Sequence, residues 1–162
     1  MPRMNTNTLD LDHHALLDML RTSSLVFKLS DHFFSKYDVP VVQFNILMTL
    51  NEFGEKGMSQ QDLSEQLVVH KSHMAGLIDK LVKKGYVTRK ARTDDRRYNR
   101  IALGPKGVEV LKKVEGPYLE EVQRMMSHLT VAEKKNLRNY FAKMMIYIND
   151  AFRKGPKWPL PM

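Results

Sequence analysis

The chain has 162 residues, close to the usual size of one domain, with 43% hydrophobic and 27% charged residues, a balance typical of globular proteins. It contains no cysteine, which excludes disulfides, thiolate nucleophiles and cysteine-based zinc sites. Its longest apolar run, residues 144–148, is far too short to span a membrane, and the first residues lack the apolar segment of a signal peptide. We therefore expect a single-domain, soluble protein of the cytoplasm, with no membrane partner.

The positive charge is concentrated in one segment. The formal net charge of the whole chain is +8, and residues 83–100 hold eight basic against two acidic residues, a net +6. A patch of this kind suits a polyanion, either nucleic acid or an acidic membrane surface. A solvated basic face without a partner is the alternative that charge alone leaves open.

The spacing of apolar residues predicts a mainly helical chain. Leu16, Leu20, Phe27 and Phe34 recur at helical intervals and predict a long first helix over residues 9–37. The helix should end before Pro40, because a proline disfavours helical geometry in the residue that precedes it. A second helix is predicted over Val41–Phe53, closed by Gly54.

Two further helices follow in the middle of the chain. Ser59 and Asp62 have the spacing of a capping box and predict the start of a short helix. After a turn near residues 68–69, a fourth helix is predicted over Lys71–Lys84, closed by Gly85. Its inner face is an i, i+3, i+4, i+7 set of apolar residues: Met74, Leu77, Ile78 and Leu81.

The hydrophobic period then changes. Residues 86–91 and 98–103 alternate as strands do and flank the charged loop 92–97, which predicts a β-hairpin. A long helix follows, with a kink or break expected at Gly116-Pro117. Thr130 and Glu133 form a capping box that opens a last helix, and the tail 155–162, with three prolines, is predicted to be non-helical.

Residues 38–113 are predicted to form a winged helix-turn-helix, because a helix, a short helix, a turn, a helix and a basic hairpin follow one another in this order. The fold class is thus mainly α with a small β-hairpin wing, flanked by dimerisation helices over residues 9–37 and 114–154. The fourth helix would be the recognition helix, placing its outer face and N-terminal turn in the major groove of double-stranded DNA. The candidate DNA contacts on it are His70, Lys71, Ser72, His73, Ala75, Gly76 and Lys80.

Several motifs together resemble the MarR family of bacterial transcriptional regulators. They are Leu-Ser-Glu-Gln-Leu at 63–67, the helix at 72–81, Lys-Gly-Tyr-Val-Thr-Arg at 84–89, Asp-Asp-Arg-Arg at 94–97, and Leu-Thr-x-x-Glu from Leu129. The resemblance implies a homodimer joined by its N- and C-terminal helices, which binds a pseudo-palindromic operator, usually as a repressor. It also implies that a small anionic or phenolic effector releases the DNA.

The resemblance assigns roles within the wing. It makes Arg97 the arginine that enters the minor groove and Asp95 the carboxylate that orients it, while Arg96 contacts phosphate or is solvated. Asp79 is expected to pair with Arg89. For the lysines of this region, phosphate contact and solvation remain open alternatives; they are Lys83, Lys84 and Lys90.

Two positions depart from the family pattern: His73 stands where a small residue is usual, and Gly104 where Thr or Ser usually starts the helix after the wing. Gly76 is common at its position but replaces a frequent Arg. These departures leave the expected fold unchanged and bear on the base contacts.

Other classes of function have weaker support in the sequence. His70 and His73 have a spacing that binds metal on a helix, but no third ligand is evident, so we expect no metal site. The sequence has no phosphate-binding loop, HExxH motif or nucleophile elbow, so we expect neither an enzyme nor a cofactor. A sequence-independent architectural DNA-binding protein and a winged-helix protein-interaction module remain as alternatives.

Overall fold

The computed structural model describes the backbone of residues 6–91 and 99–154, and the side chains of residues 10–89 and 100–151. Over these residues the chain is mainly helical with one small antiparallel sheet, which confirms the predicted fold class. The elements, in chain order, are α1 (Thr6–Phe34), α2 (Val41–Phe53), β1 (Met58–Ser59), α3 (Gln60–Gln66), α4 (Lys71–Lys84), β2 (Val87–Ala91), β3 (Asn99–Leu103), α5 (Pro105–Met126) and α6 (Val131–Lys154). In the described part of the chain, no helix has the length and apolarity needed to cross a bilayer.

The chain divides into two compact units, Met1–Gly116 and Pro117–Met162. The first contains the sheet and helices α1 to α4 together with the start of α5. The second contains the end of α5 and all of α6. The division falls inside α5, at the Gly116-Pro117 pair that was expected to interrupt the helix.

The core of the first unit is built from the inner faces of its helices and strands. The predicted apolar face of α4 is buried, with Met74, Ile78 and Leu81 fully inaccessible to solvent. Helices α2 and α3 and the sheet complete this core with further buried side chains, among them Phe44, Ile46, Leu47, Leu50, Leu63, Val87 and Ile101. The burial of these side chains is the main favourable contribution to the stability of the unit.

The sheet has one more strand than the sequence predicted. Strands β2 and β3 form the expected hairpin stem, with Val87 opposite Leu103, and β1 adds to the other side of β3, with Met58 opposite Ile101. The preceding residue, Gly57, has a φ of 59°, and a Cβ there would lie 2.4 Å from the Ile101 carbonyl oxygen. Glycine therefore permits both the backbone turn into β1 and its close approach to β3.

The predicted end of α1 was wrong, and of the two alternatives predicted at Gly116-Pro117, a kink or a break, the break does not occur. Helix α1 ends at Phe34 rather than at residue 37, because residues 35–38 form a turn in which the Tyr37 amide donates to the Phe34 carbonyl at 2.9 Å. Helix α5 continues through Gly116-Pro117 without a break. A proline removes only one helical hydrogen bond, and the helical bonds on both sides hold the segment together.

Helix α6 begins at the predicted capping box. The Thr130 amide donates to the Glu133 carboxylate at 2.7 Å, and the Glu133 amide donates to the Thr130 hydroxyl at 3.3 Å. The Thr130 hydroxyl also donates to this carboxylate at 2.7 Å, and the bonds from the Thr130 amide and hydroxyl favour its ionised form and lower the pKa of Glu133 below its ordinary value of 4.5. The stabilisation from this carboxylate is therefore present above that value and is lost as the pH falls through the lowered pKa.

Gly104, one of the departures from the family pattern, lies where α5 meets the end of α4. Its amide donates to the Tyr86 carbonyl at 2.8 Å, and a Cβ on Gly104 would lie 2.6 Å from the Gly85 carbonyl oxygen. Because the overlap would involve a Cβ and a backbone carbonyl, rotating a side chain could not relieve it. This close approach accounts for glycine where the family usually has Thr or Ser.

We predict that Gly104→Ala lowers the free energy of unfolding by about 1–3 kcal/mol, because its methyl group would overlap the Gly85 carbonyl. Gly76→Ala is the matched control, since a Cβ on Gly76 would meet no atom within 4 Å. It should raise the stability by up to about 1 kcal/mol, because alanine favours a helix interior over glycine. Urea denaturation of both variants measures the difference, and equal stabilities would contradict the packing at Gly104.

Candidate nucleic-acid interface

The short turn between α3 and α4 sets the direction of α4. Helix α3 starts at the predicted capping box, in which the Asp62 amide donates to the Ser59 hydroxyl at 3.0 Å. A hydrogen bond from the Val69 amide to the Ser64 carbonyl, at 3.0 Å, closes the turn. Within it Val68 adopts a φ of 52°, a left-handed conformation that is unfavourable for a β-branched side chain.

Helix α4 has two contrasting faces. Its inner face is the buried apolar set described above, and its outer face is polar or basic and open to solvent. Of the predicted contacts, Ala75 is half-buried, and the remaining six are exposed at the start of the helix or along the outer face: His70, Lys71, Ser72, His73, Gly76 and Lys80. The structure thus brings all seven predicted α4 residues to the N-terminal turn or the solvent side of one helix.

The N-terminal end of α4 is suited to bind an anion. His70 occupies the N-cap position but makes no side-chain capping bond, and its Nδ1 lies 2.8 Å from the Ser72 hydroxyl. The first amides of the helix carry the positive end of the helix dipole, and Lys71 adds a full positive charge beside them. A phosphate group is the anion that such helix ends bind most often in nucleic-acid complexes.

The stem of the hairpin is attached to α4 and to the turn before β1. Arg89 on β2 pairs with Asp79 on α4 at 2.5 Å, which confirms the predicted ion pair. On the neighbouring strand, the Arg100 guanidinium donates to the carbonyls of Lys56 and Gly57 at 3.0 and 2.8 Å. The Arg89 pair thus joins β2 to α4, and the Arg100 bonds join β3 to the turn before β1.

The predicted wing-tip residues Asp95, Arg96 and Arg97 lie outside the described residues, as does the side chain of Lys90. Their assigned contacts with DNA stay predictions. No group of three metal-binding side chains is found among the described residues, and the His70 ring is beside the Ser72 hydroxyl.

Lys84 has a role that the sequence did not indicate. The open alternatives for this lysine were phosphate contact and solvation, yet its Nζ lies 3.0 Å from a carboxylate oxygen of Asp38, in the turn that follows α1. The two residues are 46 positions apart, and no local pattern links them. The neighbouring Lys83 is exposed and forms no ion pair with any described residue.

Comparison with known proteins places this geometry in context. The model of the MarR family matches residues 39–98. The HTH-type transcriptional regulator PecS of Dickeya dadantii is 29% identical over 133 residues, which are 80% of this chain and 80% of PecS. The family match begins just before α2, includes α3 and α4, and extends past β2.

Solved structures show the same fold. AbsC, a MarR family transcriptional regulator from Streptomyces coelicolor, aligns with a TM-score of 0.80 at 20% identity, over 92% of this chain and 99% of AbsC. The MepR–DNA complex of S. aureus aligns with a TM-score of 0.72 at 21% identity, over 83% of this chain and 96% of MepR. The arrangement of helices and hairpin is therefore shared with proteins of this family.

We predict that Val68→Asn raises the free energy of unfolding by about 0.5–1 kcal/mol, because asparagine tolerates the left-handed conformation better than valine does. Val68 is 85% exposed, so little apolar burial would be lost. Val68→Ala serves as the control, since it removes the branched side chain but keeps a residue that disfavours this φ. Thermal unfolding would contradict the strain at Val68 if the asparagine variant were less stable than the wild type.

Proposed function

We propose that the chain is a MarR-family transcriptional regulator and that it controls transcription by binding a specific DNA sequence with the outer face of α4. The observation that carries this proposal is the division of α4 into a buried apolar face and an exposed polar face that begins at an uncapped N-terminus. A protein of this kind acts where the bacterial chromosome lies, in the cytoplasm, and needs neither catalysis nor a cofactor.

The proposed binding mode assigns each part of α4 a different contact. Lys71 and the first amides of the helix bind a phosphate, which fixes the position of the helix along the groove. Ser72 and His73 then reach base edges, where hydroxyl and imidazole groups donate or accept hydrogen bonds. Gly76 lies at the centre of the exposed face with open space around it, so the helix backbone can approach the DNA closely. Lys80 lies one turn further on and contacts the backbone of the duplex.

The MepR–DNA complex supports this mode, because a structure of the same fold is seen there with DNA. In this chain the wing supplies a second contact, through the arginines of residues 92–97. An arginine suits a narrow minor groove, where the negative potential of DNA is strongest. Binding of an operator that overlaps a promoter blocks RNA polymerase, and we therefore propose repression as the mode of regulation.

We propose a homodimer because two helices display apolar side chains that a monomer leaves in water. On α1, Leu16 is 47%, Leu20 52% and Phe27 58% exposed, and helical spacing puts all three on one face. On α6 the same holds for Phe141 (43%), Met144 (39%) and Ile148 (42%). Large continuous apolar surfaces of this kind usually mark an interface between proteins. A twofold dimer presents two copies of α4, which matches a pseudo-palindromic operator.

We further propose that a small anionic or phenolic effector regulates binding. The chain has no cysteine, so the effector must act without a disulfide or thiol adduct. It would do so by binding more tightly to a dimer whose two α4 helices do not match the operator.

Selection of bound duplexes from a random DNA pool tests the proposed function directly. We expect an enriched pseudo-palindrome that binds about a thousandfold or more tightly than scrambled DNA. Equal affinity for both duplexes would favour the architectural DNA-binding protein. A protein that binds no duplex even at low salt would favour the protein-interaction module.

We predict that the protein is a dimer at micromolar concentration, with twice the chain mass of 18.9 kDa in light scattering. Phe27→Glu should shift the equilibrium to monomer, because it places a charge in the proposed apolar interface. Lys28→Glu, at an adjacent exposed position, controls for the introduced acid. A wild-type monomer would refute both the interface and the palindromic operator.

We predict that Lys71→Ala weakens binding to all duplexes alike and lowers the slope of log affinity against log salt by about one, because a phosphate contact is lost. Arg97→Ala should instead weaken operator binding by about 1–3 kcal/mol more than binding to scrambled DNA. Titration of both variants against the two duplexes at several salt concentrations separates these effects. Operator binding by Arg97→Ala with wild-type affinity would remove the wing from the mechanism.

A further inference from the structure

The side chain of Lys84 makes three contacts at the C-terminal end of α4. Its Nζ donates to the backbone carbonyl of Asp38 at 2.9 Å, lies 3.0 Å from the Asp38 carboxylate, and is 5.4 Å from the centre of the Tyr86 ring. A carbonyl, a carboxylate and an aromatic face are all favourable partners for an ammonium group. The ammonium group of Lys84 therefore has its partners within the protein.

Asp38 lies at a well-packed junction between α1 and α2. Phe34, at the end of α1, is 3% exposed, and its ring centre is 5.0 Å from that of Phe44 on α2. Val39, which follows Asp38 directly, is 1% exposed. Buried side chains thus anchor the chain four residues before Asp38 and directly after it, and the position of its carbonyl follows the position of α1.

From these contacts we infer that Lys84 is a positioning residue: it ties the end of α4 to α1 and so sets the spacing of the two recognition helices in the dimer. This inference rests on the proposed function, in which α1 joins the two subunits. A change in the direction of α1 moves Asp38, and Lys84 transmits that movement to α4.

The geometry of a helix makes such a tie effective. The 14 residues of α4 span roughly 20 Å, so a tilt of about 10° around the C-terminal end moves the N-terminal turn by roughly 3.5 Å. This displacement is close to the rise of ~3.4 Å between successive base pairs. A small change at Lys84 therefore alters which half-site spacing the dimer fits.

A direct phosphate contact by Lys84 is the competing explanation, and the contacts argue against it. Lys84 is at the opposite end of α4 from the uncapped N-terminus, and its ammonium already has two oxygen partners. Loss of a phosphate contact would lower the salt dependence of binding, whereas loss of a positioning contact would not. The two roles thus differ in a measurable quantity.

The test uses the full chain and the selected operator, together with duplexes whose half-sites are one base pair closer or further apart. The variants are Lys84→Met, which keeps the length of the side chain, Asp38→Asn, the double variant, and Lys84→Arg. Lys83→Met is the matched control, because it removes the same charge from the neighbouring exposed position.

We expect Lys84→Met to reduce the preference of the dimer for the operator spacing by about two- to fivefold, the range for one partly exposed charged contact, with the salt slope unchanged. Asp38→Asn should give a smaller loss, because the backbone carbonyl still accepts from Lys84. The double variant should be no worse than Lys84→Met alone, since both changes remove one interaction. Lys84→Arg should restore most of the preference, and Lys83→Met should leave it unchanged.

Two results would overturn the inference. One is a loss of affinity in Lys84→Met that is equal on all three spacings and comes with a lower salt slope, as for a phosphate ligand. The other is an unchanged spacing preference in a variant that folds normally.

Amide hydrogen exchange of the DNA-free protein keeps this test separate from the proposed function. Lys84→Met should speed exchange at the end of α4 and in the turn after α1 together. Unchanged exchange in that turn would show that the contact between Lys84 and Asp38 does not couple α4 to α1, whether or not the wild type binds DNA. Failure of the wild type to bind any duplex would instead refute the proposed function.

Discussion

The burial of one face of α4 is the constraint on which the rest of the structure depends. Met74, Leu77, Ile78 and Leu81 are packed into the core, and rotation of the helix would return them to water. Each buried side chain of this size contributes about 1.5–3 kcal/mol, so the rotational setting of α4 is strongly defined. The same setting turns Lys71, Ser72, His73 and Gly76 outward. The packing of the inner face therefore determines which residues of α4 are exposed and available to contact DNA.

Packing fixes the rotation of α4 about its axis, and two ion pairs join α4 to neighbouring elements. Arg89 pairs with Asp79 near the middle of the helix, and Lys84 pairs with Asp38 at its end. Both pairs are partly solvent-exposed, and each contributes little to the stability of the fold. Their value lies in orientation: the first joins the wing stem to α4, and the second joins α4 to the turn after α1. Together they connect the three parts that the proposed dimer has to align on DNA.

The helices of this protein could be predicted from the sequence, because an apolar stripe and a cap are local features. The bounds of α2 and α4, the capping boxes at Ser59 and Thr130, and the pairing of Asp79 with Arg89 were all predicted. Strand β1 was missed, because two residues are too few to show the alternation of apolar and polar side chains that marks a strand. The contact between Lys84 and Asp38 depends on the folded path of the 46 intervening positions. The reason for Gly104 was also hidden, because the carbonyl that excludes a side chain there belongs to Gly85.

The central claim is that the outer face and N-terminal turn of α4 form the DNA-binding surface. An NMR titration of isotope-labelled protein with its selected operator tests this claim directly, because amide shifts report contacts residue by residue. The account predicts the largest shift changes at residues 70–76, with smaller changes in the last turn of α4. Changes confined to α1 or α6, with residues 70–76 unaffected at saturating operator, would contradict it.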